Sequence, residues 1–149
     1  MTLINPTDCP YYLISRITLQ VTSALKKEFA SVGITDVKPA YLGVLFTLWR
    51  KDGLKVVALG RQAGLEPSTM TGLIDRMEKS GLVYRDADPN DRRVQRVYLT
   101  KEGRALEKLT MEGVDHVLSK TFKGISGQEL TQTMNLLRRL LKNAQEAGK

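Results

Sequence analysis

A mainly helical fold carrying one small β-hairpin is what this sequence predicts, on three observations. Between Lys55 and Gly81 two short helical patterns are parted by only three residues, Gly64 to Glu66. Two runs rich in β-branched and aromatic residues follow, Leu82 to Arg85 and Val94 to Leu99, with turn formers between them. On either side, residues 11–31 and 101–146 carry apolar side chains at helical spacing. Two close helices followed by a hairpin make a winged helix-turn-helix. Here it occupies about 39–100 of a single domain spanning 1–149, and the flanking helices are candidates for dimerisation.

In chain order, residues 1–10, with Pro6 and Pro10, read as an extended arm. From Tyr11 to Ser31, Ile14, Ile17, Val21, Leu25 and Phe29 recur every three or four positions, and Gly33 ends that helix. Pro39 opens a second helix reaching Lys51, whose Tyr41, Leu42, Leu45, Phe46, Leu48 and Trp49 point to burial on more than one side. Lys55 to Gly64 is a short helix with Val56, Leu59 and Ala63 inward. The next helix starts at Pro67 and stops at Gly81; Met70, Leu73, Ile74 and Met77 fall at i, i+3, i+4 and i+7 and form its buried stripe. After the hairpin, Thr100 caps a helix running from Lys101 to Phe122, interrupted at Gly113. Gly124 breaks the chain, and Ser126 with Glu129 reads as a capping box for a last helix rich in leucine.

The helix from Pro67 turns Ser68, Thr69, Thr71, Asp75, Arg76 and Lys79 away from its apolar stripe. Hydroxyls on the first turn and a basic residue further on suit a helix lying in a DNA major groove, where they reach base edges or phosphates. Hydroxyl-rich first turns are common, so the neighbours decide the reading. The segment Asp86 to Arg93 between the strands ends in Arg92 and Arg93. An arginine at a hairpin tip can enter a narrow minor groove, and Asp91 can pair with Arg93 and restrict its conformers. The plainer reading is a solvated turn with paired charges.

Asp91-Arg92-Arg93 followed by Val97-Tyr98-Leu99-Thr100-Lys101-Glu102-Gly103 resembles the D-x-R…L-T-x-x-G signature of the MarR family of bacterial transcriptional regulators, and Pro67 to Val83 resembles its recognition helix. The specific motifs lie between residues 64 and 103, and Gly72 stands where many members have an arginine. The resemblance implies DNA contacts from Pro67, Ser68, Thr69, Thr71, Arg76, Asp91, Arg92 and Arg93. It also implies a homodimer built from the terminal helices, and a repressor or activator released by a small aromatic or phenolic ligand. The leucines of the last helix, Leu130, Leu136, Leu137, Leu140 and Leu141, exceed what a lone terminal helix can hide, which independently favours pairing with a second copy. An all-intrachain core is the alternative. Two reading helices about 34 Å apart would meet successive major grooves of a palindromic operator.

Tyr11, Tyr12, Arg16, Tyr41 and Trp49 lie on the helices such a ligand would wedge apart, with Arg16 able to pair with a carboxylate; their plain reading is core and structural ion pair. Cys9, before Pro10 and close to Tyr11 and Tyr12, is a candidate oxidant sensor at a helix N-terminus, against the plain reading of an inert thiol.

A net charge of +7 favours an anionic partner, although charge alone does not separate nucleic acid from a membrane surface. From Lys55 to Arg104 ten basic side chains face seven acidic ones, so placement matters more than bulk charge. No apolar stretch spans a bilayer and no leader pattern opens the chain, which points to a cytoplasmic protein with no membrane partner. One cysteine excludes an intrachain disulfide and a cysteine-cluster metal site. With one histidine, His116, and no nucleophile elbow or phosphate loop, the sequence offers no catalytic residue, metal site or cofactor. A winged helix used only for protein interaction is the remaining rival.

Overall fold

The computed structural model describes residues 5–148. The chain divides into two compact units after Val117. The first unit starts with a 3-10 turn, Pro6–Asp8, closed by Asn5, whose Oδ1 accepts from the Thr7 amide at 3.1 Å. Helix α1, Pro10–Ser31, follows at once, so the expected extended arm is folded over residues 5–10; its residues 1–4 lie outside the described chain. Proline at the first helical position explains the difference: its fixed φ starts a helix as readily as it fits extended chain. Of the predicted stripe, Leu25 and Phe29 are buried and Val21 packs on the core, while Ile14 and Ile17 are exposed.

A second 3-10 turn, Pro39–Tyr41, leads into α2, Leu42–Arg50, which buries Val44, Leu45 and Leu48 completely. Next come β1, Leu54–Lys55; α3, Val56–Ala63; α4, Pro67–Lys79; β2, Val83–Ala87; and β3, Gln95–Leu99. The predicted hairpin is present as the antiparallel pair β2 and β3, and β1 adds a third strand on the other side of β3, giving a sheet in the order β1-β3-β2. Lys55, expected to begin a helix, belongs to β1: Leu54 faces Val97 with its side chain in the core, and Lys55 faces Arg96. A two-residue strand carries no periodicity, which is why the pattern missed it. Within the larger pair, Val83 faces Leu99, Arg85 faces Val97 and Asp86 faces Arg96.

Gly60, inside α3, is buried and lets α4 approach: a Cβ there would stand 3.0 Å from Cγ of Met70. Leu59, Met70, Ile74, Met77, Leu82 and Val97 complete a core shared by α2, α3, α4 and the sheet.

The Thr100-Lys101-Glu102-Gly103 corner ties the sheet to the helices after it. The Thr100 hydroxyl accepts from the Gly103 amide at 3.0 Å and donates to the Gly81 carbonyl at 2.6 Å, while its amide donates to the Leu82 carbonyl at 3.0 Å. Trp49 Nε1 donates to the Gly103 carbonyl at 3.0 Å. A Cβ on Gly103 would collide with the Leu82 carbonyl oxygen, so the corner closes only around glycine. The predicted single helix after Thr100 is two, α5, Lys101–Ala105, and α6, Glu107–Thr121, broken at Leu106. Gly113 does not interrupt α6; it faces Phe29, whose ring lies 3.4 Å from where a Cβ would stand.

In the second unit Gly124, at φ 83°, ends the turn after α6, and α7 covers Gly127–Ala147. Its capping box is complete: the Glu129 amide donates to Ser126 Oγ at 3.2 Å and the Ser126 amide donates to Glu129 Oε2 at 2.8 Å.

Gly103→Ala is expected to lower the unfolding free energy by about 1–3 kcal/mol through overpacking, read as an earlier midpoint in urea. Gly127→Ala, with nothing within 4 Å of its new methyl, is the control and should leave stability unchanged or slightly raised.

Candidate nucleic-acid interface

Helix α4 begins with Glu66 as its N-cap and Pro67 at the first helical position, and Gly81 at φ 71° follows its end. Met70, Leu73, Ile74 and Met77 are buried as the spacing predicts. Pro67, Ser68, Thr69, Thr71 and Arg76 are all exposed, so the structure places the predicted reading face in solvent. Three residues, Gly64 to Glu66, separate α3 from α4, and Gly64 at φ 71° makes the turn. Asp75 is not a free member of that face. Arg85 of β2 pairs its guanidinium with Asp75 and, at 2.9 Å, with Glu78 Oε2, while the Arg85 amide donates to Glu78 Oε1 at 2.8 Å. The two carboxylates, Asp75 foremost, push the Arg85 pKa up.

The wing tip is built by two aspartates. Asp91 Oδ1 accepts from the Arg93 amide at 3.1 Å and from Arg93 Nε at 3.2 Å, and its Oδ2 accepts from Nη2 at 3.3 Å. The predicted Asp91–Arg93 pair is thus present, on an Arg93 side chain that is 90% exposed. Arg92 is exposed beside it. The second aspartate was not foreseen. Asp88 is buried, and its Oδ1 accepts from the amides of Asn90 at 2.9 Å and Asp91 at 3.1 Å. Its Oδ2 accepts from Arg96 Nε at 2.5 Å, and Arg96 Nη1 donates to the Gly53 carbonyl at 2.7 Å. A continuous run of polar contacts therefore leads from the loop before β1 to the tip. The Asn90 amide and then Arg96 hold the Asp88 carboxyl below the usual carboxylate range, and Arg93 does the same for Asp91. The Asp88-Pro89-Asn90 sequence is a turn signature that would have pointed to Asp88, since aspartate commonly bonds the backbone two residues on.

The other predicted positions fall apart from this face. Tyr41 is buried in the core and Trp49 spends its N–H on Gly103, whereas Tyr11 and Arg16 lie on an exposed part of α1. Cys9 is half-buried and is the N-cap residue of α1. His116 is an exposed residue of α6 whose Nδ1 lies 2.8 Å from Glu28 Oε1 of α1.

The sequence model of the MarR family matches residues 39–94, from the turn before α2 to the wing tip. A solved MarR-family transcriptional regulator from Silicibacter pomeroyi is 32% identical, with a TM-score of 0.69 over 94% of this chain and 92% of that one. The chain belongs to the MarR family. Like other winged-helix MarR proteins it is a DNA-binding regulator of transcription. CouR from Rhodococcus jostii RHA1, solved with p-coumaroyl-CoA, is 29% identical with a TM-score of 0.76, covering 93% of this chain and 95% of CouR. The organic hydroperoxide resistance transcriptional regulator of Bacillus subtilis is 29% identical over 87% of this chain and 85% of its own length. The regulator TtmR of Methylorubrum extorquens is 37% identical over 66% of this chain, which spans about half (48%) of TtmR's length.

In this MarR-family wing, the contacts of Asp88 and Asp91 favour their ionised forms. Both carboxyls sit below their unfolded values, so their contribution to stability is present above about pH 4, the ordinary aspartate range. It is lost as pH falls through the lowered values. Urea midpoints measured between pH 7 and pH 2 should decline on the acid side, less steeply for the Asp88→Asn, Asp91→Asn double variant.

Proposed function

We propose that the chain is a homodimeric, sequence-specific regulator that binds a palindromic operator through α4 in the major groove and the wing tip in the minor groove. The observation that carries this reading is the exposed pair of surfaces joined through Arg85: the hydroxyl-rich first turn of α4 with Arg76, and Arg92 and Arg93 on a wing ordered by Asp91. Ser68, Thr69, Thr71 and Arg76 make the contacts of the helix, with Pro67 setting its start. Arg93 enters the minor groove with its conformers already restricted by Asp91, so less entropy is lost on binding. Action on DNA in the cytoplasm, without catalysis, fits relatives that are regulators of transcription.

Exposed apolar surface supports the dimer. In the first unit α1 leaves Tyr11, Ile17 and Leu19 exposed, and in the second α7 leaves Leu136, Leu137, Leu140 and Leu141 exposed. Apolar helix surface on this scale is what a second copy buries. Dimerisation also doubles the contacts, and spacing two α4 helices about one helical turn of DNA apart selects an inverted repeat.

The sign of regulation we assign is repression, relieved by a small aromatic or phenolic ligand; the phenolic acyl group carried by CouR's ligand supports that chemical class. Ligand binding changes DNA affinity only as far as it favours one separation of the two α4 helices. A second reading, oxidant sensing through Cys9, is favoured by the hydroperoxide-resistance regulator among the relatives and by Cys9 at the start of α1. Cys9→Ser should abolish peroxide release of DNA under this second reading and leave it unchanged under the first.

The test is a salt titration of operator binding. Affinity should fall linearly on a log–log plot as salt rises, and Arg93→Ala should weaken binding and reduce the slope by about 1. His116→Ala, far from the proposed contacts in sequence and bonded to Glu28, should bind as the parent does. A monomer in sedimentation that ignores duplexes of every composition would refute the proposal.

A further inference from the structure

Gly72 is the one glycine inside α4, on a helix whose outward side is otherwise furnished with side chains. An interior glycine weakens a helix relative to alanine by about 1 kcal/mol, so its presence in the proposed reading helix calls for a reason. Ser68, Gly72 and Arg76 are spaced i, i+4, i+8 and share one stripe. Helical side chains lean toward the N-terminus, so the long side chain of Arg76 covers the turn that holds residue 72. The structure shows the result: Nη1 of Arg76 lies 3.3 Å from where a Cβ on Gly72 would stand. The guanidinium fills space that a larger residue at 72 would claim.

Electrostatics keep that guanidinium available. The two acidic residues nearest Arg76 along α4, Asp75 and Glu78, are both engaged by Arg85. Among the described residues Arg76 has no ion pair, and its side chain is exposed. A planar cation without an internal counterion, laid along an exposed helix next to a turn of hydroxyls, has the donor geometry for the O6 and N7 acceptors of guanine.

The geometry points to Gly72 as a specificity determinant: by leaving its turn bare, it lets Arg76 fold along α4 and present its guanidinium beside the Ser68 turn, where it reads one guanine in each half-site. This rests on α4 being the helix that enters the major groove. Residue 72 then sets where along the groove the arginine reads without touching a base. A side chain longer than methyl at 72 drives the guanidinium off the stripe and moves or abolishes the guanine preference.

The experiment selects duplexes from a random pool with the full-length parent, Gly72→Gln, Gly72→Ala and Arg76→Ala, followed by affinities for the selected site and for versions altered at each guanine. Thermal unfolding is recorded for all four proteins. The parent is expected to prefer guanine at one position per half-site by about tenfold or more. Arg76→Ala should lose that preference while keeping the others. Gly72→Gln should shift or lose the same preference although its thermal midpoint is equal to or above the parent's, with Gly72→Ala showing a smaller change in the same direction. An unchanged base profile in Gly72→Gln overturns the inference. So does an Arg76→Ala protein weakened evenly on all sequences with its salt slope reduced by about 1, since that marks a phosphate contact. A parent that binds duplex but selects no sequence overturns it as well. If the parent binds no duplex at all, the placement of α4 in the groove fails, and the inference fails with it.

Discussion

Arg85 fixes the relation between α4 and the wing. Its guanidinium holds Asp75 and Glu78 on the helix, its backbone amide adds a bond to Glu78, and its own strand pairs with the centre of the sheet through Val97. A surface ion pair contributes little by itself, but this one is partly buried, engages two carboxylates and is backed by one bond from the Arg85 backbone amide. Helix and hairpin therefore keep one separation and one angle. DNA offers its major and minor grooves at a set distance, so a protein that reads both needs that rigidity more than it needs any single contact. The same pairing withdraws two negative charges from the exposed side of α4, which leaves the face more positive than its composition indicates.

Order at the tip has a different source. Two backbone bonds close the wing turn, Asp88 amide to Val94 carbonyl at 2.8 Å and Val94 amide to Asp91 carbonyl at 3.0 Å, and the Asp88 carboxylate adds the rest by accepting from the Asn90 and Asp91 amides while paired to Arg96. Asp91 then holds Arg93 through its backbone amide and guanidinium. A buried carboxylate is tolerated because its acceptors are matched by donors, one of them charged. Arg93 keeps its exposure and loses its freedom.

The parts of this architecture that were legible in the sequence are those governed by period and punctuation. The stripe Met70, Leu73, Ile74, Met77 located the buried side of α4, and Pro67 and Gly81 located its ends within two residues. Thr100 and Ser126 are legible as caps because capping is a local, side-chain-to-backbone event. What escaped was set by contacts distant along the chain. Strand β1 exists only because Leu54 can pair with Val97, forty-three positions away by the same span that separates Gly53 from Arg96. The role of Arg85 needed the register that brings it onto α4, and Gly113, which looks like a helix breaker in one dimension, is a seat for Phe29 in three. Tyr41 and Trp49 show where periodicity stops being informative, since an aromatic on a helix looks alike in sequence whether it lines a pocket or fills a core; here Tyr41 is buried and Trp49 bonds the Gly103 carbonyl.

Arg96 joins the loop after α2 to the turn of the wing. Its Nη1 grips the Gly53 carbonyl in the loop after α2 while its Nε grips the carboxylate beneath the wing turn. Asp52 in that loop is itself stitched to the Leu99 amide at 2.9 Å and to Arg104 Nη2 at 2.7 Å. The loop is thus braced against the central strand β3 at two residues and against the helix corner at Arg104, so the end of α2 is tied to the wing by bonds that bypass α3 and α4.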